Sequence, residues 1–142
     1  MKKIVCLIFL VTILSYGCFK KEIAKEITKD DILQSEAIKI ELNILQKIDD
    51  ANNTNISKDD LKKLLIESGS EFIGIKKYFD EIKSDNKDIL EIKESQIKMA
   101  NVYINIKDKL ENNGDVAIIM LKLLDAEVYY NKFIDVMKRS NE

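Results

Sequence analysis

The chain has 142 residues, 46% of them hydrophobic and 34% charged, and it contains no proline, histidine or tryptophan. That length fits one domain. The missing histidine closes His-dependent triads and the usual zinc and haem ligation schemes, while the missing proline and only four glycines argue against turn-rich sandwiches and barrels. A formal charge of −2, evenly spread, leaves no electrostatic footprint for a nucleic-acid partner.

In chain order the first feature is the N-terminus. Lys2 and Lys3 form a short positive region, Ile4 to Leu14 make an almost unbroken apolar run, and Ser15-Tyr16-Gly17-Cys18 closes it. The run is too short to cross a hydrocarbon layer of about 30 Å as a helix, so it reads as an export signal rather than as part of the fold. The stretch Leu14-Ser15-Tyr16-Gly17-Cys18 resembles a bacterial lipobox, with Ser15 and the bulky Tyr16 where the usual pattern has an aliphatic and a smaller residue. The resemblance implies cleavage between Gly17 and Cys18, a lipid on the Cys18 sulfur and an acyl chain on its new amino group. Cys6 then leaves with the signal, and the folded part keeps no free thiol, no disulfide and no soft metal ligand. Two or more acyl chains hold a protein stably at a membrane. Losing Lys2 and Lys3 takes the formal balance from −2 to −4. Lys20 and Lys21 stand close after the lipidated cysteine, where two lysines either meet anionic headgroups or, as is commoner in a tether, are simply solvated.

The expected organisation is therefore a signal peptide over 1–17, a lipidated cysteine and tether over 18–28, and a helical domain over 29–142. Thr28 with Asp31 three residues on is a capping box, and it opens a helix with the stripe Leu33, Ala37, Ile40, Ile44 and Ile48. The Asn-rich segment 49–56 is a connection. Ser57 with Asp60 repeats the capping signature, and Leu61, Leu64 and Leu65 start a second helix that Phe72, Ile75, Phe79 and Ile82 continue. Ser68-Gly69-Ser70 weakens that helix and raises the question of a kink or break. After a turn at Ser84-Asp85-Asn86, a third helix from about Lys87 to Asn112 carries Leu90, Ile97, Ala100 and Ile104, with a second set at Met99, Tyr103, Ile106 and Leu110. At Asn112-Asn113-Gly114-Asp115 the chain stops again, Gly114 suiting a left-handed C-terminal position and Asp115 a cap. The last helix shows Ile119, Leu123, Ala126, Tyr130, Phe133 and Met137 at helical spacing. Four such helices with short connections, or five if Ser68-Gly69-Ser70 breaks the second, make an all-α antiparallel bundle.

Chemistry-bearing patterns are few. The segment Asp49 to Asp60 has the length of an EF-hand loop, but Ala51 supplies no ligand and Thr54 stands where the sharp turn needs glycine. A helical di-metal scheme pairs glutamates with Glu-x-x-His, which a chain without histidine cannot supply. Gly69 and Gly74 are isolated in helical pattern and form no phosphate loop. Ser68 and Ser70 have no visible base. No catalytic residue, metal ligand or cofactor is expected, and the chain does not read as an enzyme. Tyr129 and Tyr130 are adjacent, so their side chains point about 100° apart. With Tyr130 on the core stripe, Tyr129 falls on the flank as an anchor for a protein partner, and Tyr103 and Tyr78 are comparable candidates.

The lipobox, the Ile/Lys/Asn-rich composition and the small histidine-free helical domain together resemble spirochaetal, Borrelia-type surface lipoproteins. That group is often all-helical and binds host matrix, plasma or complement proteins. The resemblance implies a lipoprotein (palmitate on Cys18) held in the cell envelope, at the outer membrane or cell surface, presenting an interaction surface to a host protein. The alternative is a periplasm-facing structural or assembly lipoprotein with an envelope partner. No motif in residues 19–142 assigns a ligand.

Overall fold

A computed structural model describes residues 26–139, with backbone only at 117, 118 and 120. Five helices follow in order: α1 (Lys29–Leu33), α2 (Glu36–Asn52), α3 (Lys58–Glu81), α4 (Lys87–Glu111) and α5 (Val116–Lys138). They form a helical bundle with no strand among the described residues. Helix α4 is its centre, packed along most of its length against α3 on one side and α5 on the other, while α2 lies mainly on α3. Expectation and structure agree on the fold class. The Gln96 and Glu41 side chains link α4 to α2.

Local chemistry explains the boundaries. The Thr28 hydroxyl accepts from the Asp31 amide at 3.1 Å while the Asp31 carboxylate accepts from the Thr28 amide at 2.9 Å, closing the expected capping box. It opens only one short helix, because Ser35 starts a second: its hydroxyl accepts from the Ile38 amide at 3.3 Å. This unforeseen cap resets the register of the first long stripe. Ile32, Ala37, Ile38, Ile44, Ile48 and Ala51 are buried, whereas Leu33 is exposed and Ile40 only half-buried. Leu90, placed on the α4 stripe from sequence, is likewise exposed; Ile89 and Ile92 take the interior. Ser57 caps α3 through the Asp60 amide at 3.1 Å, and Asn86 caps α4 through the amides of Asp88 and Ile89.

Helix α3 runs unbroken through Ser68-Gly69-Ser70. The Ser68 and Ser70 hydroxyls donate to the carbonyls of Leu64 and Ile66, four residues back, and at Gly69 α3 lies close against α4. A methyl group there would stand 2.4 Å from Lys107 Cβ and 2.7 Å from the Tyr103 carbonyl oxygen. The glycine is a contact device rather than a break. At the end of α4 the left-handed position belongs to Asn113 (φ 62°), not to Gly114. The Gly114 amide donates to the Lys109 carbonyl at 2.7 Å and the Asn113 amide to Leu110 at 3.3 Å, the two bonds of a Schellman turn. Gly114 contributes room instead, since a Cβ there would lie 2.7 Å from the Lys109 carbonyl oxygen.

The start of α1 is tied to the start of α4 and the end of α5. Lys29 Nζ lies 2.5 Å from Asp88 and donates to the carbonyls of Val136 and Arg139 at 3.0 and 3.1 Å. Arg139 in turn reaches Asp88 and Glu91 at 3.2 and 3.0 Å. This knot brings together the starts of α1 and α4 and the end of α5, and it marks the pole at which residue 26 enters the bundle.

Candidate functional surface

The first half of helix α5 is dominated by apolar residues, and the bundle covers only part of it. Ile119, Ala126, Phe133 and Val136 point into the core. With 100° per residue, Leu121, Leu124 and Val128 fall on the opposite side, and they are 68%, 60% and 65% exposed. The eight residues from Leu121 to Val128 thus expose three large aliphatic side chains on one outward stripe, the densest such patch among the described residues. Leu33, Leu42, Ile73 and Leu90 are also exposed, but on other helices.

On one flank of α5 lies a polar groove of about 300 Å³ against α4, lined by Lys98, Asn101, Asn105, Lys122, Asp125 and Tyr129. The Lys98 ammonium sits 6.0 Å above the Tyr129 ring and pairs with Glu94 at 2.5 Å, which holds that lysine above its ordinary range. Lys122 faces Lys109 of α4 and pushes its ammonium down. On the other flank α5 meets α2 and α4 in an apolar cleft of about 230 Å³, walled by Leu45 and Ile48 of α2, Met99 and Tyr103 of α4, and Ala126 and Tyr130 of α5.

One turn beyond that cleft on both α2 and α4, a carboxyl and an amide are fully inside the protein. Glu41 is 0% exposed and Gln96 1%. Gln96 Nε2 donates to Glu41 Oε1 at 3.2 Å, while Glu41 Oε2 and Gln96 Oε1 have no partner. Burial lifts the Glu41 carboxyl from the ordinary carboxylate range to about 7, against the smaller downward pull of the Gln96 amide. The Tyr103 phenol is held well above its usual range, first by burial and then by the Glu41 charge; Tyr130 moves the same way for the same reasons.

The three tyrosines expected as anchors separate. Tyr129 is half-buried at the polar groove under Lys98. Tyr78 is half-buried with its ring edge-on to Phe79 at 5.1 Å. Tyr103 is an interior residue, its ring stacked on Phe72 at 4.1 Å and 8°. Cys18 and Gly17, the lipidation and cleavage positions, lie outside the described residues. The EF-hand length has no counterpart, because Asp49 to Asn52 belong to α2 and Lys58 already starts α3. Among the described residues no His, Cys, Asp and Glu group is arranged to hold a metal ion, and no helix is long and apolar enough to cross a membrane.

Sequence reasoning passed over Glu41 and Gln96. The signal was present: Glu41 is four residues past Ala37 and three before Ile44, and Gln96 lies between Ile92 and Met99, so both polar residues occupy core positions of their stripes. The outward leucines on α5 were passed over as well, since attention to one clean stripe hides a second. No protein-family model, curated protein or solved structure matches the chain.

Proposed function

We propose that this chain is an envelope lipoprotein, anchored through lipid on Cys18, whose helical domain presents the outer face of α5 to a protein partner, at the cell surface and of host origin. The observation that carries the interaction reading is the Leu121, Leu124 and Val128 stripe. Large aliphatic side chains this exposed and this contiguous cost solubility unless something covers them. The polar groove beside the stripe, with Lys98, Lys122, Asp125 and Tyr129, supplies the mixed-charge, aromatic rim common around protein contacts.

The position of the stripe agrees with a tether. Residue 26 enters at the pole where Lys29 meets Val136 and Arg139, whereas Leu121 and Leu124 lie in the first turns of α5. At 1.5 Å per residue, Leu124 is about 20 Å along the helix from that pole.

Two experiments test the reading in sequence. Palmitate labelling of cells expressing the chain is expected to be abolished by Cys18→Ala; persisting label removes the anchor. Proteinase K treatment of intact cells then separates host-facing from periplasm-facing display: digestion supports the surface reading, and full protection shifts the partner to the envelope. In plasma pull-downs, a partner that Leu124→Glu fails to weaken would dismiss α5 as the contact face.

A further inference from the structure

Glu41 Oε2 and Gln96 Oε1 are both acceptors, both buried, and both without a donor. They are the second arms of two planar groups whose first arms already meet through Gln96 Nε2 and Glu41 Oε1 at 3.2 Å. A carboxylic acid and a primary amide have complementary edges: one N–H donates to the acid carbonyl and one acid O–H donates to the amide carbonyl. A single proton on Glu41 Oε2 therefore satisfies both orphaned atoms at once. Without it, both oxygens remain buried acceptors with no donor, the costly state for buried polar groups.

We propose that Glu41 and Gln96 form a proton-dependent latch, in which one proton closes a two-bond acid–amide ring that holds α2 against α4, and loss of that proton to solvent releases α2. The pair joins the long helix held least extensively by the bundle to its centre, since α2 packs mainly on α3 and only lightly on α4 and α5. Release of α2 widens the cleft that Leu45 and Ile48 share with Met99, Tyr103, Ala126 and Tyr130, unmasking apolar and aromatic surface as pH rises.

The surroundings leave the carboxyl no other source of compensation. The titratable groups that face it are the phenols of Tyr103 on α4 and Tyr130 on α5. No cation and no second carboxylate bears on it from α2, α3, α4 or α5 among the described residues. The raised titration range of Glu41 agrees with the latch and puts its release between mildly acid and neutral conditions.

Native-state amide exchange of the full chain in detergent micelles, corrected for intrinsic rates, tests the latch. Protection of α2 amides is expected to fall on the order of fiftyfold relative to α4 between pH 5 and pH 8, and then to level off. Glu41→Gln, which closes the same ring with two amides and no titrating proton, is expected to make α2 protection independent of pH. Flat α2 protection in the wild-type chain, equal loss from α2 and α4, or an unchanged pH dependence in Glu41→Gln would each overturn the proposal. A wild-type measurement stands beside the variant. The side-chain carboxyl carbon of Glu41 and the side-chain amide of Gln96 are expected to titrate with one common midpoint, near 7. A Glu41 midpoint in the ordinary carboxylate range, or a Gln96 amide indifferent to it, also refutes the latch.

Discussion

Helix α3 contains two glycines whose substitution by alanine is expected to act in opposite directions. Each replacement removes the same backbone freedom from the unfolded chain and improves helix propensity by about 0.8–1 kcal/mol. At Gly74 a Cβ meets nothing within 4 Å, so Gly74→Ala keeps that gain and stabilises by about 0.5–1 kcal/mol. At Gly69 the same methyl group lands 2.4 Å from Lys107 Cβ and 2.7 Å from the Tyr103 carbonyl oxygen. Carbon atoms pack at about 3.5–4 Å, so α4 has to retreat by about 1 Å. A backbone oxygen cannot rotate away as a side chain can. Moving α4 also loosens the Phe72–Tyr103 stack, which sits at 4.1 Å across the same interface. Overpacking of this kind costs about 1–3 kcal/mol; the propensity gain recovers up to about 1, leaving Gly69→Ala destabilised by about 1–2 kcal/mol. Urea unfolding followed by helical circular dichroism reads both variants, and an unchanged m-value confirms that the difference lies in stability. At about 4 °C per kcal/mol for a domain of this size, the two variants should differ by roughly 10 °C in Tm. If Gly69→Ala proves as stable as Gly74→Ala, the close approach of α3 and α4 at Gly69 is wrong.

Four further outcomes follow from particular contacts. Burial raises the Glu41 carboxyl from 4.5 to about 7, so the folded chain holds a proton that the unfolded chain releases. The stability this carries is complete below about pH 4.5 and is lost as pH rises through 7, a fall of about 3 kcal/mol, which pH-dependent urea titration should show in the wild type and not in Glu41→Gln. The opposite sign applies to Asp88, lowered chiefly by its hydrogen bond from Lys29: its contribution is present above the ordinary Asp range and fades as pH drops below it, so acid melting of the Lys29–Asp88–Arg139 knot is expected only below the Glu41 window. Asn113→Gly relieves a non-glycine residue at φ 62° and should stabilise by about 0.5–1 kcal/mol; a loss of stability in thermal melts would contradict the Schellman geometry. Phe72→Ala removes a fully buried ring that stacks on Tyr103 and is expected to cost about 3–5 kcal/mol, with near-ultraviolet dichroism of the tyrosines reporting the lost stack.

Much of the fold is legible in local chemistry. Thr28 with Asp31, Ser57 with Asp60, Asn86, and the Asn113-Gly114 stop each announce a boundary through groups that satisfy helix-end amides or carbonyls, and these depend on neighbours three or four residues away. Ser35 carries the same chemistry and was missed because Leu33, Ala37 and Ile40 complete a plausible stripe across it. Leu33 and Leu90 show the limit of periodicity: an aliphatic side chain at the right spacing is exposed when no other helix reaches it. The role of Gly69 was also out of reach, since a glycine that breaks a helix and one that admits a neighbouring helix look alike along the chain.

Composition, caps and apolar spacing, all of them local, determine by themselves the all-helical class of the described residues, where α3 and α4 begin, and which residues are available to a core. Only the tertiary structure decided what each available residue does. It made Tyr103 interior and left Leu121, Leu124 and Val128 outside, because burial depends on which helix arrives at a face and not on the face itself. It also brought Glu41 to Gln96 across 55 positions of sequence, joining two polar residues that each looked like an isolated exception on an apolar stripe. What lifts the Glu41 carboxyl toward neutral pH is the removal of water from around it, and that removal belongs to the assembled bundle.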